Sequence, residues 1–205
     1  MGMQRKWILG ADPGKYGAVV LLDADYPNVK DPAEALKMFP TKTDGGKIDT
    51  NTMYAVLQPY AADIVFMVQE QVHAIFGSSA KGSFEFGDAN GAQRAILLLL
   101  GRQITGRVPF MVALPKLWQK VAWQGIDPIG TPVYVKGTKT PKLLKSGKPQ
   151  IKVDTKGTSM LAAHKLFPNA NFVMPRCRIE HDGCIDAALI AYYGLTRYNK
   201  LKKGS

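Results

Sequence analysis

Five consecutive apolar residues, 64–68 in DIVFMVQEQV, constrain the fold more than any other stretch of this chain. The run is short, and it lacks the alternation of a strand with one wet face. It predicts a central β-strand buried on both sides. Such a strand needs a layer above and a layer below, so the chain reads as α/β. Glu70 stands just past its apolar part.

The flanking segments supply the layers. Residues 7–11, WILGA, read as a second buried strand ending at Asp12; PGKY turns the chain, and GAVVLLD returns, so 7–23 is a hairpin. A third strand is expected near 35–39. Helical spacing over 48–61, with Asp49 or Thr50 as cap, precedes the central strand. After it come a polar, glycine-rich loop (73–87), a long helix (88–104) capped by Asp88, a strand (108–114) and a short helix (115–123). A helix over 158–167, a short strand at NFVM and a last helix from Asp182 follow, with TRYNKLKKGS as a basic tail. The expected architecture is a mixed five-stranded sheet flanked by helices, in one domain over 1–205. Residues 125–157 interrupt it. Lysines at 136, 139, 142, 145 and 148, set among Pro, Gly, Ser and Thr, predict a mobile basic loop or small hairpin inserted at the surface.

The 27 Lys and Arg residues against 16 Asp and Glu give a net charge of +11, which suggests a polyanionic partner, nucleic acid or an acidic membrane surface. No apolar run approaches the ~18 residues of a membrane span. The apolar segment at the amino end is too short for a secretory signal, so an intracellular, cytoplasmic protein is expected. Cys177 and Cys184 are too few for a disulfide framework or a cysteine-rich zinc site, and read as reduced thiols.

Chemistry concentrates in the acids. HDGCIDAALIAYYG sets Asp182 and Asp186 one helical turn apart, about 6 Å along the axis, with no cation inside the stretch. The strands ending at Asp12 and Glu70 can lie parallel, with both ends at the rim where α/β sheets carry their loops. A last helix packed on that sheet would add Asp182 and Asp186. Four clustered carboxylates must either take up protons or enclose a cation, and oxygen donors suit Mg²⁺ or Mn²⁺. Two such ions would form a clamp for in-line displacement at phosphorus. Taken singly, the acids have plainer roles: Asp182 as a helix cap, Asp12 as a turn former, Glu70 as a solvated strand end. Asp186, between Ile185 and Ala187, is harder to explain, because a buried unpaired carboxylate is costly.

Four segments, ILGADPGKYGAVVLLD, VQEQVHA, PKLWQKV with DTKGTSMLAAHKLFP, and HDGCIDAALIAYYG, resemble in that order the RuvC-type Holliday-junction resolvases, particularly their phage and organellar branches. The resemblance implies an RNase H-like fold and a homodimer. It implies a magnesium- or manganese-dependent endodeoxyribonuclease that makes paired incisions in a four-way DNA junction, leaving 5′-phosphate and 3′-hydroxyl ends. It also implies catalytic and metal-holding roles for Asp12, Glu70, Asp182 and Asp186, with two ions per site and no organic cofactor. The long helix would build the dimer interface and so account for the apolar run 97–100; a core helix in a monomer accounts for it as well. The chain departs from the family pattern at Ala11, where a bulky residue is usual, and in the four-residue spacing of its last two acids, where bacterial members use three. Its basic insertion is also longer.

An acidic rim gives no affinity for DNA. Phosphate contacts would fall to Lys81, Lys116, Lys120, Lys136, Lys139, Lys142, Lys145, Lys148, Lys152 and Lys156. Phe76 and Phe84 could stack on unpaired bases or seal the core. His73 and His181 are expected to be structural, and Trp118 to pack the short helix onto the sheet. Competing readings are an RNase H-like nuclease acting on RNA–DNA hybrids or flaps, and a non-catalytic junction binder, against which the four acids argue. An actin-like sugar kinase needs a second domain that 205 residues cannot hold.

Overall fold

The computed structural model describes residues 5–29, 31–72, 79–102 and 108–204. Strands β1 (Trp7–Asp12), β2 (Ala18–Asp23) and β3 (Leu36–Pro40) form an antiparallel meander. A small hairpin, β4 (Thr43–Asp44) and β5 (Lys47–Ile48), leads into α1 (Thr50–Leu57), which Asp49 caps by accepting from the Thr52 amide. Strand β6 (Ile64–Glu70) then enters beside β1 and parallel to it. Helix α2 (Ala80–Arg102) crosses over to β7 (Phe110–Ala113), which pairs parallel with β6. The five strands lie in the order β3-β2-β1-β6-β7. Helix α3 (Pro115–Ala122), a ribbon of β8 (Gly130–Pro132) and β9 (Ile151–Val153), α4 (Thr155–Leu166) and α5 (Asp182–Lys203) complete the chain.

Side chains along a strand alternate between faces, and here both faces are covered. Trp7, Leu9, Ala11, Val19, Leu21 and Met67 pack with Leu57, Leu97 and Leu100 of α1 and α2. Ile8, Val20, Leu22, Phe66 and Val68 pack against α3, α4 and α5. The central strand is therefore doubly buried, as its apolar run requires. Helix α5 is covered almost all round because it lies between the sheet and the pair α3 and α4. It touches the sheet at backbone distance. A Cβ on Gly10 would stand 2.3 Å from both the Ala187 carbonyl and the Ala191 nitrogen, and one on Gly183 would stand 2.4 Å from the Tyr16 carbonyl.

Several boundaries differ from the sequence expectations. Helix α2 starts at Ala80, eight residues before Asp88, so Asp88 is not its cap. The Ser79 hydroxyl accepts from the Gly82 amide at 3.0 Å and caps the helix instead. Gly82 and Gly87 give this stretch a loop-like composition, at about 1 kcal/mol each relative to alanine. The cap, a Lys81–Glu85 pair at 3.8 Å and the packing of the helix from Ala89 onward offset that cost. The basic tail is helical through Lys203, its lysines favourably placed at the negative helix end. NFVM is not a strand; only a bridge between Val173 and Glu180 forms there. The third strand lies one residue later than expected, and α4 begins at Thr155, capped by Asp154, which shortens the insertion. Within the insertion, residues 130–153 form hydrogen-bonded antiparallel ribbons, which is the hairpin of the two expected alternatives. Of the run 97–100, Leu97 and Leu100 belong to the core, whereas Leu98 and Leu99 face outward. Among the described residues no helix is long and apolar enough to cross a membrane.

Candidate active site

Strand alternation sets where the first two acids point. In the parallel pairing of β1 with β6, Gly10 faces Val68 and Ala11 faces Gln69, so Asp12 and Glu70 continue the same ladder. Asp12 shares its parity with Ile8 and Gly10, and Glu70 shares its parity with Phe66 and Val68. Both project to the face that α5 covers. Asp182 and Asp186 are the first and fifth residues of that helix, one turn apart on one side. The contacts at Gly10 and Gly183 hold this turn against the end of β1.

Charge records how close the four stand. The Asp12 carboxyl is raised well above the ordinary aspartate value, first by burial and then by Asp186, Glu70 and Asp182. Asp186 is pushed up to about 6, mainly by burial, opposed by a hydrogen bond from Ser159 and aided by Glu70 and Asp182. Its Oδ1 is sealed from solvent and has no hydrogen-bond partner. Burial also raises Glu70, against a hydrogen bond from the Trp118 indole, whose Nε1 donates to Oε1 at 2.9 Å.

Sequence reasoning named Trp118, Lys156 and His181 without the contacts they make here, and it missed Ser159, Gln69 and Gln93. Trp118 does pack α3 onto the sheet, but its indole N–H is also the partner of Glu70. Lys156 in the first turn of α4 donates to Asp182 Oδ2 at 2.5 Å, and that pairing raises the lysine. Ser159, one turn further, serves Asp186. His181 is the cap of α5, its Nδ1 accepting from the Cys184 amide at 3.2 Å, so Asp182 is free of the capping role. The Cys184 thiol is pushed up to about 12 by burial and by Asp12, which makes it unreactive. On the opposite face, buried Gln69 donates to Gln93 Oε1 at 3.1 Å, and Gln93 donates to the Asp12 carbonyl at 3.2 Å. That amide chain ties the ends of β1 and β6 together. Only a polar residue at the end of a doubly buried strand could have signalled it, and the strand reading drew no contact from Gln69.

The donors fit a hard divalent cation. All four are oxygen ligands, three are raised by burial, and one buried oxygen lacks any partner. Among the described residues, no three carboxylate, imidazole or thiol groups already close around one position. Glu70 is turned to Trp118 and Asp182 to Lys156, so two of the four acids are engaged elsewhere.

The expected phosphate contacts are dispersed. Lys116 and Lys120 are exposed on α3, Lys81 is paired with Glu85 on α2, and Lys136, Lys139, Lys142, Lys145, Lys148 and Lys152 are exposed on the ribbon. Phe84 is 78% exposed on α2. Phe76 and His73 lie outside the described residues.

No family model and no curated protein matches the sequence. Among solved structures, Thermus thermophilus RuvC in complex with a Holliday junction substrate matches over 97% of this chain and 96% of its own, with a TM-score of 0.50 and 15% identity. The fold is RuvC-like. A second structure, T. thermophilus RuvC, covers 94% of this chain and 96% of its own at 15% identity, with a TM-score of 0.42. The expected RNase H-like α/β architecture, a mixed five-stranded sheet flanked by helices, is the fold observed.

Proposed function

We propose that this RuvC-like chain is a divalent-metal-dependent endodeoxyribonuclease that resolves four-way DNA junctions by paired incision. The observation that carries the reading is the convergence of Asp12, Glu70, Asp182 and Asp186 at one sheet rim, with a buried, unpartnered oxygen on Asp186. These acids would hold Mg²⁺ or Mn²⁺, one or two ions per site, which when bound supply positive charge to the scissile phosphate and to the attacking water. The chain's own residues do the positioning. Trp118 fixes one oxygen of Glu70, Ser159 fixes Asp186 and leaves Oδ1 bare, and the His181 cap sets the first turn of α5. Hydrolysis would leave 5′-phosphate and 3′-hydroxyl ends.

Substrate choice rests on three supports: the likeness to a RuvC bound to a Holliday junction, the net charge of +11, and the exposed lysines of α3 and the ribbon. Exposed Phe84, Leu98 and Leu99 on one helix support a homodimer built through α2, which would set two sites on one junction. The test is incubation of a synthetic four-way junction, its matched duplex and an RNA–DNA hybrid with Mg²⁺ or Mn²⁺. Symmetric nicks in the junction alone are expected. Cleavage of the hybrid alone would shift the reading to an RNase H-type activity, and no cleavage with either metal would refute it.

A further inference from the structure

The insertion has an architecture that its composition conceals. At the far end of the β8–β9 ribbon, three backbone bonds close a ring: Val133 N–H to Gln150 O at 2.8 Å, Gln150 N–H to Lys142 O at 2.7 Å, and Lys142 N–H to Val133 O at 2.7 Å. Three ribbons leave this ring. One is β8–β9 itself, rooted on the body. The second pairs Tyr134 with Pro141 and turns through Gly137, and the third pairs Leu143 with Pro149 and turns through Gly147. Both turn glycines have positive φ, 78° and 76°, which a side chain would strain. Lys136 and Lys139 flank the first turn, Lys145 and Lys148 the second. The result is a trefoil with two lysine-tipped leaves.

It has no interior. Tyr134, Leu143 and Leu144 are 53%, 59% and 50% exposed. Segment 128–153 contains six lysines and no carboxylate. Its partner must therefore be anionic and must offer apolar surface. A protein strand is a poor occupant, because Pro132, Pro141 and Pro149 remove edge donors around the ring. Intact duplex offers phosphates but keeps its base faces stacked. Nucleic acid with opened base faces offers both.

We infer that the trefoil reads the branch point of DNA, with Tyr134, Leu143 and Leu144 against base faces exposed where strands part and the lysine turns on the flanking phosphates. Its root supports this location. The Asp154 amide donates to Ile129 O at 2.8 Å and the Ile129 amide to Thr158 Oγ1 at 3.0 Å, so the trefoil stands on the first turn of α4, which also carries Lys156 beside Asp182. The inference rests on the reading of this chain as a DNA nuclease.

The test uses the full chain carrying Asp186→Asn, with 2-aminopurine at the centre of a four-way junction, in the middle of one arm, or in matched duplex. A fluorescence change is expected at the centre only. Tyr134→Ser with Leu143→Ser and Leu144→Ser should lower junction affinity at least about ten-fold, the loss of one or more stacked bases, with duplex affinity and the salt slope little changed. Replacing Lys136, Lys139, Lys145 and Lys148 with alanine should weaken both substrates and flatten the slope by roughly three to four. All these residues are exposed, and circular dichroism confirms folding. Unchanged junction affinity in the apolar triple variant would overturn the trefoil's role while leaving the nuclease reading intact. Absence of binding to any DNA by the parent would remove both.

Discussion

Asp186→Asn should stabilise the protein while abolishing cleavage. Burial pushes this carboxyl from 3.8 up to about 6. Between those values the folded chain holds a proton that the unfolded chain has released, so stability falls as pH rises through the window. At 1.36 kcal/mol per pH unit, the ionised form costs about 3 kcal/mol by pH 8. Asparagine keeps the shape and carries no charge. The variant should therefore exceed the parent by about 3 kcal/mol at pH 8, or roughly 6–12 °C in Tm for a chain of this size, and the gap should nearly close by about pH 4. Urea unfolding in EDTA, repeated from pH 4 to pH 8, measures the gap directly. Saturating Mg²⁺ should narrow it at pH 8, because ligand binding stabilises only the folded parent. A gap that is flat across pH, or of opposite sign, would refute the claim that this carboxylate is held at electrostatic cost.

Trp118→Phe keeps most of the buried ring and removes the donor to Glu70. Glu70 should then rise further, and the acid limb of the cleavage–pH profile should move to higher pH, with a larger loss at pH 6 than at pH 8; an unmoved limb argues against this coupling. Lys156→Ala frees Asp182 from its exposed ion pair, so Mn²⁺ affinity measured by calorimetry without DNA should rise about two- to five-fold at low salt. A fall in affinity would mean that the lysine assists the cation. Gly10→Ala drives a methyl group into the α5 backbone and should destabilise the fold by more than about 4 kcal/mol; an unchanged denaturation midpoint would refute the close packing.

Much of this organisation was legible in the letters. The run 64–68 and the hairpin 7–23 carried the sheet, because doubly buried strands have a composition that loops cannot imitate. Asp12, Glu70, Asp182 and Asp186 were legible as a group, since parity and helical spacing are properties of the backbone alone. The partners of these acids were not. Trp118, Ser159 and Lys156 come from α3 and α4, and nothing in their spacing indicates which strand end they meet. The start of α2 was misread because Gly82 and Gly87 lower local helix propensity, while the Ser79 cap and the packing of the same helix from Ala89 onward carry the stretch. The trefoil was hidden for a different reason. Its ring of backbone bonds uses no distinctive side chains, so Val133, Lys142 and Gln150 look like any residues of a basic loop.

Gly10, Gly183 and the alanines facing them seat helix against strand with almost no side-chain atoms between. The spacing of the first turn of α5 from the end of β1, and with it that of Asp12 from the two helix acids, is therefore set by peptide planes rather than by large side chains. Large residues of either layer, Trp118 apart, can be exchanged for others of similar volume without moving helix from strand, provided that these few small residues stay small.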